Sequence, residues 1–357
     1  MTSSPTGRKW KVAVLGATGA VGQTFVRLIA DHPWFELAEV AASERSAGKS
    51  YRDATRWLEG TMPESVAEMT VASCDPAKIR SPIVFSALDA AVAGDAERKF
   101  AEAGMIVLSN ARNFRMEPDV PLVIPEVNAE HLGLIEIQRE LRGWPGAIVT
   151  NANCAATVAA LALAPLHQKF ELDTLMLTTL QAVSGAGYPG VASLDIIGNV
   201  IPFIADEEPK VEREMCKLLG RYANGEVVPA AMRVSAQTNR VPVEHGHTIC
   251  IAASFRDRPS AEEAIATLSE WAGAEETRGL PSRPDRPLQV AAERDRPQPR
   301  RDVNAGAGMT VTVGRIRDDS VLHLRMVAVG HNTIRGAAGG SVLNAELLAA
   351  TGRLADA

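Results

Sequence analysis

Apolar positions in the first half of the chain come in short runs separated by stretches with a helical beat. Residues 11–15, Lys11-Val12-Ala13-Val14-Leu15, carry no polar alternation, the pattern of a strand buried on both faces. In residues 21–30, Val21, Phe25, Leu28 and Ile29 recur at three- and four-residue spacing, which predicts a helix with one apolar face. Strand-like runs follow at 36–42, 83–86 and 105–108, with a helical stretch at 90–103 between the last two. Strands alternating with helices predict an α/β fold, with a parallel sheet covered on both faces.

The second half has a different rhythm. Residues 173–181 and 248–255 are rich in strand formers, 261–272 predicts a helix, and 309–315 and 321–329 predict two strands that pair as neighbours. Without regular crossover helices, these strands predict an α+β domain with a mixed or antiparallel sheet. Residues 279–302 hold Pro281, Pro284, Pro287, Pro297 and Pro299 among many arginines, and are expected to be an extended surface loop with little helix. Residues 332–354 turn helical again after a glycine-rich entry and are expected to pack back on the first domain. The expected division is 1–153, joined by 332–357, and 154–331.

At 357 residues the chain is long enough for two domains and a large core. A net charge of −6 argues against nucleic acid or an anionic membrane as partner. The apolar run 155–166 contains Pro165 and is too short to span a bilayer, and residues 1–11 lack the apolar core of a signal peptide. Cys74, Cys154, Cys216 and Cys250 are scattered with no CxxC pair, so neither a metal site nor a disulfide framework is expected, and a reducing cytoplasm is.

Gly16-Ala17-Thr18-Gly19-Ala20-Val21-Gly22 directly follows the first predicted strand and opens the first helix. Glycines there let the backbone turn tightly and approach a pyrophosphate at a helix N-terminus, so the first domain reads as a Rossmann-type dinucleotide-binding fold. The spacing is GxxGxxG rather than GxGxxG. After the second strand, Ser43, Arg45 and Ser46 suit a ribose 2′-phosphate, which favours NADP(H). If Glu44 instead faces the ribose, NAD is favoured.

Thr150-Asn151-Ala152-Asn153-Cys154 puts a thiol between an apolar run and a helical one. At a helix N-terminus the dipole and free N–H groups favour a thiolate, a nucleophile for acyl or aldehyde chemistry. Read alone, Cys154 is as well explained as a small buried residue. The segment 239–248 supplies Arg240, His245 and His247, a guanidinium able to pair with a carboxylate and two imidazoles capable of acid and base work; by themselves they read equally as a structural ion-pair partner, a surface-loop residue and a donor to a backbone carbonyl. Asp206 reads as a helix N-cap, with Pro209 in the first turn. Glu207 and Lys210 share a face of that helix and, by themselves, form an ordinary surface pair.

Together these motifs, with Ser109 to Met116, Val120 to Asn128, Gln181 to Gly190 and Asn332 to Gly340, resemble the aspartate-β-semialdehyde dehydrogenase family in its archaeal and fungal branch. The likeness runs along nearly the whole chain. It implies Cys154 as nucleophile and His247 as acid/base, chosen over His245 because it stands in the family's Gly-His pair. It implies Arg240 for a substrate carboxylate, Glu207 for its ammonium, and Lys210 and Arg115, helped by Arg112, for phosphate. Gln181 orients the acyl group, and Asn153 holds substrate and oxyanion. Ser86, Ser184, Gly185, Gly187, Asn332 and Gly336 join the glycine loop as cofactor contacts. One departure stands out: Ala155 and Ala156 follow the cysteine where the family usually has Ser or Thr.

The implied reaction is NADPH-dependent reductive dephosphorylation of L-aspartyl-4-phosphate through a cysteine thioester, in the synthesis of lysine, threonine and methionine. The implied assembly is a homodimer or homotetramer, built on a sheet face of the second, catalytic and dimerisation domain. Two rival readings are a related reductase of malonyl-CoA or N-acetylglutamyl phosphate, and a non-catalytic NADP-binding regulator.

Overall fold

The computed structural model describes residues 4–354; residues 1–3 and 355–357 of the expected first domain lie outside them. Seven strands form the first sheet: β1 (Trp10–Leu15), β2 (Phe35–Ala42), β3 (Ala72–Ser73), β4 (Ile83–Ser86), β5 (Ile106–Ser109), β6 (Leu122–Val123) and β7 (Ala147–Asn151). Their order is β3-β2-β1-β4-β5-β7-β6, and every pairing is parallel. The order reverses between β1 and β4, which opens a crevice at their carboxyl ends.

Helix α1 (Ala20–Ala30) covers one face with Phe25, Val26 and Ile29, while α2 (Ala90–Glu102) covers the other with Phe100 and Ala101. Burial on both faces explains why these strands read as unbroken apolar runs. A further helix, α3 (Leu134–Arg142), ends on Gly143 in the left-handed region. Helix α4 (Cys154–Phe170) runs on from β7 through Pro165, so the proline does not end it where the apolar run stops.

The second sheet is mixed. It contains β8 (Leu172–Gln181), β11 (Arg233–Arg240), β12 (His247–Phe255), β13 (Leu288–Ala291), β14 (Val311–Asp318) and β15 (Leu324–Gly330), in the order β11-β8-β12-β15-β14-β13. The hairpin β9 (Arg221–Ala223) and β10 (Glu226–Val228) stands apart. β14 and β15 pair antiparallel, as neighbours, whereas β11–β8 and β13–β14 are parallel.

One face of this sheet packs on α4 and α6 (Ala261–Glu270), burying Leu175, Leu177, Ile249, Ile251 and Met326. The other face leaves Met176, Thr178, Cys250 and Arg325 exposed. Helix α5 (Glu207–Leu218) precedes β9, and α7 (Gly339–Ala350) returns to the first sheet, burying Val342, Leu343, Leu347 and Leu348 in the core that holds Phe25.

Two local expectations need correction. Residues 279–302 are not merely an extended loop: β13 adds a sixth strand to the sheet and Pro299–Asp302 forms a helical turn. Leu288 and Val290 face the core beside β14, so edge pairing offsets the irregularity imposed by the prolines. Asp206 occupies the N-cap position of α5, but its side chain caps nothing; with φ at 58° it turns outward to meet Arg112 at 2.8 Å.

Candidate active site

Three chain segments meet at Cys154: the end of β7, the start of β12 and the first turn of α5. Cys154 Sγ lies 3.1 Å from His247 Nε2, although the residues are 93 apart in sequence. The backbone N–H of Ala182 donates to Nδ1 of His247 at 3.1 Å. An Nδ1 that accepts carries no proton, so neutral His247 holds its proton on Nε2, toward the sulfur. Burial pushes the imidazole down to about 3, with Arg240 and His331 adding to the fall.

The thiol is not poised as helix-terminus reasoning alone suggests. Burial pushes Cys154 up to about 12; Glu207 adds to the rise, while Arg115, Arg240 and the Ala155 N–H oppose it. Desolvation therefore outweighs the dipole. Nor are the first-turn donors all open to substrate. Asn153 caps α4, its Oδ1 accepting from Ala155 N at 2.9 Å and Ala156 N at 3.1 Å. The N–H groups of Ala155 and Ala156 are thus spent on the cap, leaving that of Cys154 itself as the first-turn donor not engaged by Asn153.

Glu207, 7% exposed, is the hub beside the sulfur. Its Oε1 accepts from Asn153 Nδ2 at 2.8 Å and Gln181 Nε2 at 3.1 Å, and its Oε2 lies 3.4 Å from Lys210 Nζ. Glu207 and Lys210 are therefore no ordinary surface pair. Arg240 is buried on β11, donating to the Ala182 carbonyl at 2.7 Å. Gly185 lets it in: a Cβ there would stand 2.9 Å from Arg240 Nη1 and 3.0 Å from His247 Cε1. Gly336 is equally forced, since a Cβ would come within 2.6 Å of Cys154 Cβ.

Arg112, Arg115, Lys210 and Arg213 line a cavity of about 370 Å³ with Asp206 and Glu214. Arg115 spends Nη1 on Glu214 at 3.0 Å and Nη2 on the Asn110 carbonyl at 2.7 Å, which leaves three of its five N–H donors. A cluster of cations around a pocket is suited to phosphate.

The glycine loop sits where β1 and β4 diverge. At φ 71° a Cβ on Gly16 would lie 2.6 Å from the Ala87 carbonyl, and one on Gly22 2.2 Å from the Gly16 carbonyl. Gly19 is exposed, and a Cβ there would only reach contact distance, 3.4 Å, from the Gly16 carbonyl; Thr18, Ala20 and Val21 flank it, partly exposed. Backbone can approach a pyrophosphate there, so the residues present fit a dinucleotide. Ser43, Glu44 and Arg45 are all exposed at the exit of β2, with Ser46 half-buried.

Among the other expected cofactor contacts, Gly187 is exposed with φ at 72°, and Ser184 is partly exposed, its hydroxyl 3.0 Å from His245 Nδ1. The Asn332 amide is committed to the protein: Nδ2 donates to Ser184 Oγ at 2.8 Å and Oδ1 accepts from Gly246 N at 2.9 Å. Ser86 is wholly buried at the end of β4, its side chain beside Glu97 on α2.

Sequence reading missed Glu214 and Lys217. Glu214 holds Asn153 N at 2.6 Å as well as Arg115, and Lys217 Nζ donates to the carbonyls of Arg115, Glu117 and Val120 at 2.7–2.8 Å. The signal was present in the chain, because Glu207, Lys210, Glu214 and Lys217 follow one helix face at spacings of three and four.

A parallel-sheet crevice carrying a glycine cradle, opening beside a cysteine–histidine pair, defines a nicotinamide-dependent dehydrogenase that acts on an acyl group or aldehyde. Two family profiles match: semialdehyde dehydrogenase, NAD binding domain, over residues 11–135, and semialdehyde dehydrogenase, dimerisation domain, over 163–335. The aspartate-semialdehyde dehydrogenase of Archaeoglobus fulgidus is 50% identical over 341 residues, covering 95% of this chain and 98% of that protein. The crystal structure of the Candida albicans enzyme with NADP superposes with a TM-score of 0.87 at 46% identity, covering 96% of this chain and 99% of that one. A Vibrio cholerae aspartate semialdehyde dehydrogenase II complexed with ASA gives 0.73 at 27% identity, covering 96% and 98%. The chain belongs to the aspartate-semialdehyde dehydrogenase family.

Proposed function

We propose that the chain reduces L-aspartyl-4-phosphate to L-aspartate-4-semialdehyde with NADPH, releasing phosphate, on the route to the aspartate-family amino acids. The observation that carries this reading is the 3.1 Å Cys154–His247 pair, flanked by a buried carboxylate, Glu207, and a buried guanidinium, Arg240. An amino acid offers the complementary pair, an ammonium for Glu207 and a carboxylate for Arg240. Arg115 and Lys210, with Arg112 at the rim, hold the phosphoryl group.

An ammonium docked on Glu207 neutralises one of the two causes that raise the Cys154 thiol, so the correct substrate favours the thiolate. The sulfur attacks the acyl carbon, the thiol's proton leaves with the departing phosphate as hydrogenphosphate, and a thioester remains. Bound NADPH supplies the hydride that reduces this acyl group. Collapse of the resulting tetrahedral alkoxide expels thiolate and frees the aldehyde. In this direction His247 serves as a donor, its Nε2–H supporting first the thiolate and then the oxyanion. Asn153 and Gln181 hold Glu207 in place and keep their amides beside the acyl group.

The cofactor lies on the Gly16–Gly22 cradle, with Ser43, Arg45 and Ser46 toward the 2′-phosphate, and Ser184, Gly185, Gly187 and Gly336 toward the nicotinamide end. Asn332 acts by bracing Ser184 and Gly246, and Ser86 by packing beneath the crevice. Glu207 weighs against malonyl-CoA, which has no ammonium, and the spare donors of Arg115 weigh against a non-catalytic regulator. The exposed β8–β12–β15 face, with Met176, Cys250 and Arg325, supports a homodimer through the second domain; a dimer of dimers and a cytoplasmic setting belong to the same reading. So does the division at 1–153 with 332–357, and 154–331.

The test is NADP reduction by purified protein with aspartate semialdehyde and phosphate. Turnover is expected to require phosphate and to vanish in Cys154→Ala, which still binds NADP. Retained turnover in that variant, or preference for malonyl-CoA or N-acetylglutamyl phosphate, rejects the reading.

A further inference from the structure

We infer that Glu214 is a positioning residue that locks the phosphate-binding guanidinium of Arg115 to the backbone beside the nucleophile. The inference rests on the function proposed above.

The geometry carries it. Glu214 is buried, 2% exposed, at the third turn of α5. One of its oxygens accepts from Arg115 Nη1 at 3.0 Å, and the other accepts from Asn153 N at 2.6 Å. The first contact lies 99 residues away in sequence and the second 61, so a single rigid carboxylate ties a first-sheet loop to the residue preceding Cys154. Both bonds are charge-assisted on the acceptor side and shielded from water, the setting in which such bonds are strong and directional.

The neighbours fix Glu214 in turn. Lys217, one turn further along α5, donates to the carbonyls of Arg115, Glu117 and Val120, so the arginine's own chain segment is tied to the helix that presents the carboxylate. Arg115 Nη2 is held by the Asn110 carbonyl, and its Nε is buried without a hydrogen-bond partner among the described residues. With Nη1 and Nη2 each anchored once, the guanidinium plane has one orientation and its remaining donors have a defined direction. A wandering phosphate site would place the acyl carbon out of line with the sulfur; a phosphate site fixed to Asn153 does not. Glu214 touches neither substrate nor cofactor in this scheme, and its effect passes through Arg115 and Asn153.

Glu214→Gln tests this. The amide keeps the shape but turns one acceptor into a donor, which then faces an N–H on either side. KM for phosphate, measured with aspartate semialdehyde and NADP, is expected to rise about ten- to a hundred-fold, the range for losing a hydrogen bond to a charged group, while KM for NADP stays put. In a double-mutant cycle with Arg115→Lys, the two changes are expected to be non-additive in phosphate KM. An unchanged phosphate KM, an equal rise in NADP KM, or full additivity overturns the inference.

Glu214→Asp guards against misfolding. Too short to span both partners, it is expected to give the same split at smaller amplitude, and failure of both variants to fold makes the role structural and likewise overturns the inference. If the parent protein shows no phosphate-dependent turnover, the proposed function fails first, and the two failures are distinct.

Discussion

Ala182 donates its backbone N–H to Nδ1 of His247 at 3.1 Å, and by doing so decides which imidazole nitrogen carries a proton toward Cys154. A ring held this way donates from Nε2 when neutral, and protonating it would set Nδ1–H against the Ala182 N–H. The same arrangement accounts for a group that resists becoming cationic, beyond the burial, Arg240 and His331 that push it down.

His247→Gln is therefore expected to retain more activity than His247→Ala, because an amide N–H reaches toward the sulfur and alanine offers none. The alanine variant is expected to lose about a hundred- to a thousand-fold in kcat/KM, the usual cost of an oxyanion donor. Equal loss in both variants would point to a base instead, as would a kcat/KM profile in the parent with an acid limb near the ordinary histidine range.

Glu207→Gln removes the charge proposed to meet a substrate ammonium yet keeps an oxygen for Asn153 and Gln181. KM for aspartate semialdehyde is expected to rise about ten-fold or more, from loss of a charged hydrogen bond. An aldehyde lacking the amino group is expected to lose nothing in the variant and to react at least as fast as with the parent, because the charge that raises the Cys154 thiol is gone. If both aldehydes lose activity alike, ammonium recognition is not its role.

Gly336→Ala presses a methyl against backbone and side chain at once, 2.8 Å from Cys154 Cα and 2.6 Å from its Cβ. The start of α4 has to shift, and a displacement of about 1 Å is enough to cost roughly a hundred-fold in rate. Turnover and the iodoacetamide reaction of Cys154 are expected to change together, with the melting temperature less affected. Normal kinetics would show that the helix start tolerates displacement.

Stability should depend on pH through four buried groups. Burial lowers His131 and His331 to about 4 and His247 to about 3, from 6.5 in an unfolded chain. Between those values the unfolded state binds more protons, so each contributes stability that is present above about pH 6.5 and lost as pH falls, by up to about 1.4 kcal/mol per pH unit. Glu97 runs the other way: burial raises it to about 7 from 4.5, so its contribution is lost as pH rises through about 7. The three histidines outweigh the one carboxylate, and urea midpoints are expected to climb from about pH 5 to about pH 6.5. Glu97→Gln is expected to gain stability relative to the parent between about pH 5 and pH 8. A flat or falling midpoint, or no pH trend in the Glu97→Gln difference, contradicts these assignments.

Much of the arrangement was legible because it is local. Val21, Phe25 and Ile29 mark α1, the runs at 11–15 and 83–86 mark inner strands, and Gly16, Gly19 and Gly22 mark a backbone that must bend where β1 ends. Cys154 could be placed at a helix start for the same reason. Less legible was the 279–302 segment, whose prolines concealed β13, since they flank its four residues without entering them. Glu207 and Lys210 looked like a surface pair because spacing along a helix does not say what covers that face.

The order of residues alone settled the periodicities, the glycine turn, the thiol's place at a helix start and the charged face of α5. Those properties depend on neighbours a few positions apart, which the chain brings together by its own geometry. Tertiary structure alone decided that Gln181 meets Glu207 beside the sulfur, that Glu214 reaches both Arg115 and Asn153, and that His247 presents Nε2 to the sulfur. Each of these outcomes depends on which polar group finds a partner once water is excluded, and the partners stand on different elements of the fold.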